Sequence, residues 1–165
     1  MPKIHSTVKK MKSTQQNTIP KTELELALWM KTNCFNFNSY SIGGNPIHEG
    51  CGIEKSGSLY IWYYTEKGEW QNLDYFRTEE EIVKFAHDKI LNDKWANNHC
   101  IGFTTNKSKS TELTNILKQR KIEYMADEIP YYGAEQPVFR VFVFGCDHRQ
   151  TNDLKSKYYE KKNWL

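Results

Sequence analysis

Two short segments decide what this chain can fold into. Residues 58–65, Ser-Leu-Tyr-Ile-Trp-Tyr-Tyr-Thr, and residues 138–144, Val-Phe-Arg-Val-Phe-Val-Phe, are apolar or aromatic at nearly every position. A strand sends successive side chains to opposite faces, so a run that is apolar on both must be covered on both sides. Both segments are therefore expected at the centre of a sheet. Arg140 interrupts the second, and an unpaired charge there would be costly, so a carboxylate partner is expected for it.

The neighbouring pattern supplies the rest of a fold. Glu66-Lys67-Gly68-Glu69 reads as a hairpin loop that returns the chain into a second strand at 70–76. Thr22 with Glu25, and Thr78 with Glu81, have the spacing of capping boxes. The apolar stripe Ile82, Phe85, Ala86 and Ile90 follows the second of them. A first strand is expected from Phe35 to Ile42, ahead of the Gly43-Gly44 turn. The glycine-rich stretch 45–57 reads as a long loop or a short strand about Ile53. Further strands are expected near His99–Phe103 and Ile122–Ala126, with a helix carrying Leu113, Ile116 and Leu117 between them. The order predicts an α+β fold, a mostly antiparallel twisted sheet with helices packed on it in a single domain spanning 21–148. A flexible basic arm (1–20) precedes it and a basic helix or tail (149–165) follows.

The net charge of +3 hides a division. Residues 1–21 carry Lys3, Lys9, Lys10, Lys12 and Lys21 with no acid. Residues 149–165 add Arg149, Lys155, Lys157, Lys161 and Lys162 against Asp153 and Glu160. That leaves 13 basic residues against 18 acids between 22 and 148, a net −5. An acidic body attracts basic partners and repels nucleic acid, so a nucleic-acid partner would have to use the arms. No apolar run approaches the ~20 residues that span a bilayer. The absence of an apolar stretch at the N-terminus and the wide spacing of Cys34, Cys51, Cys100 and Cys146 lead us to expect reduced thiols and a cytoplasmic location.

Chemistry-bearing motifs are sparse. His48-Glu49-Gly50-Cys51 places an imidazole, a carboxylate and a thiol on an expected glycine loop, and Cys146 with His148 could join them only if the segments met. The zinc-deaminase pattern, the Walker spacing and GxGxxG are all missing, so neither a metal nor a cofactor is expected. His87, on a helix, is expected at the surface. Acids flank aromatics at two turns: Glu66, Glu69, Trp70, Asp74 and Tyr75 in the hairpin, and Asp127, Glu128, Tyr131, Tyr132 and Glu135 before the last strand. Such pairings suit contact with a basic protein, the charge speeding encounter and the rings acting as anchors.

Three stretches carry a resemblance: Gly57-Ser58-Leu59-Tyr60-Ile61-Trp62-Tyr63-Tyr64, then Phe76-Arg77-Thr78-Glu79-Glu80-Glu81 leading a helix, and Ile129-Pro130-Tyr131-Tyr132-Gly133 before Val138 to Gly145. Over residues 22–147 the chain resembles bacterial immunity proteins of contact-dependent growth inhibition and polymorphic-toxin systems. The resemblance implies a small non-enzymatic cytoplasmic inhibitor that binds a cognate toxin domain, often a nuclease. It transfers no functional residue to a position here. A small enzyme or metal protein centred on His48 and Cys51 is the alternative expectation, and a nucleic-acid-binding module using the arms is the third.

Overall fold

The computed structural model describes residues 18–161, so most of the expected N-terminal arm, with His5, and the last four residues lie outside the described part. The fold is α+β, with mostly antiparallel strands and helices packed against them. The described chain divides into two compact units. Unit 1 comprises the residues up to Trp29 together with Tyr40–Asn92, and unit 2 comprises Met30–Ser39 with the residues from Asp93 onward.

Unit 1 holds a four-stranded sheet in the order β1-β2-β3-β4: Tyr40–Ser41, Glu49–Ser56, Leu59–Glu66 and Glu69–Phe76. The expected first strand shrinks to β1, which pairs in parallel with β2; Phe35 and Phe37 are not strand residues. The glycine-rich segment is a full strand, β2, antiparallel to β3 over its whole length. Both hairpins close through two residues. In the second, Lys67 (φ 52°) and Gly68 (φ 82°) are both left-handed, the turn whose twist matches the strands it joins.

β3 lies inside this sheet as expected, and its two faces differ. Trp62 is buried, its ring edge-on to Phe85 and 6.4 Å from that of Tyr40. Phe85 belongs to α2 (Glu79–Leu91), which covers that face with Ile82, Val83, Ala86 and Ile90 buried. Thr78 and Glu81 form both bonds of the capping box at its start. Helix α1 (Glu23–Thr32) begins similarly: Thr22 Oγ1 accepts from the Glu25 amide, and the Glu25 carboxylate accepts from Lys21 N. His87, expected at the surface, is buried. Its ring packs 4.3 Å from that of Trp29, because α2 turns it inward beside Val83 and Ala86.

Unit 2 holds a three-stranded antiparallel sheet in the order β5-β7-β6: Asn98–Thr104, Val138–Phe144 and Tyr124–Ile129. β7, the second doubly apolar segment, is central. Helices α3 (Lys107–Gln119) and α4 (Asn152–Tyr158) complete a core of Ile101, Leu113, Leu117, Ile122, Val141, Val143, Leu154 and Tyr158. The basic C-terminal segment is thus part of the fold, since Leu154 and Tyr158, four residues apart, share the buried side of α4. Beyond it the chain runs beside β5, with the Glu160 amide donating to Phe103 O at 2.8 Å.

Candidate functional site

The ten acidic and aromatic residues singled out in the sequence fall five to each unit. In unit 1 they occupy the β3–β4 hairpin. Glu66, Glu69 and Trp70 line a recess of about 400 Å³ with Tyr64, Lys67 and Gln71. Trp70 is stacked on Tyr63, centroids 3.5 Å apart and planes 18° from parallel, and its Nε1 donates to Asn72 Oδ1 at 2.9 Å. The indole is therefore held in place while 51% of the residue stays exposed, and Tyr75 is 58% exposed.

Directly opposed residues share a face, so Trp70, Asn72 and Tyr75 lie on the side of the sheet away from α2, with Tyr63 and Ile61. Asp74 lies on the α2 side, opposite Trp62. Tyr64 Oη lies 3.0 Å from Glu49 and 3.2 Å from Glu66, its one proton shared between the two carboxylates. Desolvation and these two carboxylates push the phenol up to about 12, so it remains a donor at any ordinary pH.

Division into units relocates the charge. Among described residues unit 1 carries six basic residues (Lys21, Lys55, Lys67, Arg77, Lys84, Lys89) against eleven acids, a net −5. Unit 2 carries twelve against nine, a net +3. The acidity assigned to residues 22–148 as a whole is therefore a property of unit 1.

In unit 2, Asp127 is engaged. It accepts from Arg140 Nε at 2.8 Å and Nη2 at 2.5 Å, the carboxylate partner expected for that arginine. This hydrogen bonding and charge raise the Arg140 pKa. Glu128, Tyr131, Tyr132 and Glu135 are exposed. Tyr131 stands edge-on to Phe103 and Tyr132, with Lys161 Nζ 5.7 Å from its centroid.

His48 and Cys51, the centre of the alternative reading, belong to unit 1, and Cys146 and His148 to unit 2. His48 is exposed and Cys51 is a strand residue of β2, opposite Tyr64. Burial raises the Cys51 pKa, the reverse of what an activated nucleophile needs. Cys146 forms a disulfide with Cys34 inside unit 2, which corrects the reading of all four cysteines as reduced thiols; only Cys51 and Cys100 are free. Their sequence separation of 112 residues gave no signal of the pairing. Among the described residues no three of His, Cys, Asp and Glu gather as metal ligands.

A polar cleft that sequence reasoning missed lies beside this disulfide. It measures about 350 Å³ and is lined by asparagines 36, 38, 98 and 152 with His99, His148 and Lys155, among others. The two imidazoles are stacked 4.0 Å apart, and His99 Nε2 lies 2.6 Å from Cys34 O. A carbonyl only accepts, so Nε2 carries the proton. Burial holds both histidines below their ordinary pKa, with Lys155 adding to the effect on each and His99 and Arg149 on His148. The lowered values favour the neutral form of both rings, which stacks without charge repulsion. No helix among the described residues is long and apolar enough to cross a membrane. Comparison with protein-family models, with curated proteins and with solved structures gives no match.

Proposed function

We propose that this chain is an immunity protein that binds a cognate bacterial toxin domain, a nuclease, and blocks its active site. The observation that carries the reading is the β4 surface of unit 1: two half-exposed rings, Trp70 and Tyr75, on the unit that holds the acid excess. A fixed ring presents large apolar area at low entropic cost, and the carboxylates of Glu66, Glu69 and Asp74, on the α2 side of the same hairpin, add the charge that complements the basic groove of a nucleic-acid-cleaving enzyme. Glu66, Glu69, Trp70, Asp74 and Tyr75 form the primary contact in this proposal. Glu128, Tyr131, Tyr132 and Glu135 are its counterpart in unit 2, whose net charge makes it the weaker attractor.

The proposal keeps the chain in the cytoplasm. The Cys34–Cys146 bond then has to form against a reducing thiol pool, which makes it a redox-dependent element rather than a permanent staple.

The test is a search of the neighbouring genes for a toxin reading frame, followed by co-expression with its toxin domain. Growth should be restored, and Trp70→Ala with Tyr75→Ala should weaken binding about 100-fold or more, the effect of losing two central anchors. Absence of binding between the purified proteins would overturn the reading. Protection abolished by His48→Ala with Cys51→Ala in a folded protein would replace it with the enzyme reading.

A further inference from the structure

β4 is the last strand of its sheet. β3 occupies one side of it, and among the described residues no strand occupies the other. The hairpin fixes which backbone groups are left over. Glu66 and Glu69 flank a two-residue turn, so they form the hydrogen-bonded pair beside it, and bonded and non-bonded pairs alternate from there. Gln71, opposite Tyr64, is spent on β3. Trp70, opposite Thr65, and Asn72, opposite Tyr63, turn their N–H and C=O groups outward.

The register then shifts: Asn72 faces Tyr63 and Asp74 faces Trp62, leaving Leu73 as a bulge residue, 42% exposed. Bulges and charges are how proteins keep an edge from pairing indiscriminately. Here the charges have one sign, since Glu69 and Asp74 are the only ionised residues of β4. They repel a second copy of this strand and attract a basic one.

We infer that the free edge of β4 receives an extended, lysine- or arginine-bearing segment of the protein partner as a fifth strand. Backbone bonds to Trp70 and Asn72 hold it, and its basic side chains meet Glu69 and Asp74. The inference rests on the proposed reading of unit 1 as the partner-facing unit, and it names how contact is made. Strand addition takes its affinity from the main chain and its selectivity from side chains at alternate positions.

The probe is a capped peptide alternating lysine and valine, compared with one alternating glutamate and valine. A third peptide is the lysine form N-methylated at two adjacent central residues, which blocks both of its edges while keeping its charge. At saturating lysine peptide, exchange of the Trp70 and Asn72 amides should slow about tenfold or more, and the other two peptides should bind about tenfold more weakly or not at all. Equal binding by the methylated peptide, or unprotected Trp70 and Asn72 amides, would overturn strand addition. With the toxin domain the two proposals separate. Binding lost in Trp70→Ala but untouched in Asn72→Pro, whose missing N–H faces outward, refutes the added strand and spares the function. Peptide capture without toxin binding does the reverse.

Discussion

Cys34 is bonded to Cys146 and at the same time holds a left-handed backbone position, φ 60°, at the end of α1. The Phe35 amide donates to Met30 O at 2.9 Å and the Cys34 amide to Lys31 O at 3.2 Å, the two bonds of a Schellman cap with Cys34 where glycine is usual. The crosslink keeps a β-carbon where the backbone alone would avoid one.

That conflict predicts unequal effects from removing the same bond. The bond spans 112 residues, so Cys146→Ser or Cys34→Ala should cost about 2–4 kcal/mol, a fall in Tm of roughly 5–15 °C. Cys34→Gly loses the same crosslink but relieves the left-handed strain, and should be milder by about 1 kcal/mol. Thermal unfolding with and without reductant measures both effects, and alkylation of the denatured protein counts the thiols. Equal melting of the Ala and Gly variants would contradict the argument.

The end of α3 repeats the cap without a crosslink. Ile122 N donates to Leu117 O at 3.0 Å and Lys121 N to Lys118 O at 3.1 Å, with exposed Lys121 at φ 57°. Lys121→Gly should therefore stabilise the protein by about 0.5–1 kcal/mol, raising Tm by roughly 1–4 °C. Urea unfolding checks it, and a lower midpoint for the glycine variant would count against the cap.

These caps show which parts of the fold were legible in advance. The Thr78–Glu81 box was readable because its partners are three residues apart, and the central strands because both of their faces are apolar. β2 was ambiguous because its glycines mimic a loop, although one of them answers a demand from the neighbouring strand. The truncation of the first strand had no local sign. Phe35 and Phe37 flank Asn36, whose side chain donates to Trp95 O at 2.8 Å and Asn98 O at 2.9 Å. The hairpin surface was visible as composition, but the free edge of β4 depends on which strand ends the sheet. The His99–His148 stack and the Cys34–Cys146 bond join residues far apart in sequence, beyond any periodicity.

The stacked histidines give stability a pH dependence. Both have folded pKa values below 6.5, so between that value and the folded ones the unfolded chain binds more protons. Their contribution is complete above about pH 6.5 and is lost as pH falls through the folded values. Tm should thus drop between pH 7 and pH 5. His148→Phe, which keeps a ring beside His99 but cannot titrate, should flatten the drop. NMR titration of the two imidazoles should give midpoints below 6.5. A midpoint above that for either histidine would refute the account.

Gly52 bears directly on the proposed contact surface. A β-carbon there would lie 2.5 Å from Tyr63 Oη, 2.6 Å from Tyr63 Cζ and 2.8 Å from Ser41 Cβ. Such contacts require Tyr63 to move, and that ring is both buried and the platform on which Trp70 stacks. Gly52→Ala should cost about 1–3 kcal/mol, as overpacking does, and should loosen Trp70 as well. Its fluorescence should shift to the red and become easier to quench. Trp70→Ala removes the stack without disturbing the β2–β3 register, so it should cost only about 0.5–1.5 kcal/mol. If Gly52 serves the platform, Gly52→Ala combined with Trp70→Ala should lose less than the two effects added together, because the second change finds the stack already broken. Strict additivity would mean that Gly52 accommodates Tyr63 for the sheet alone and that Trp70 is positioned independently of it.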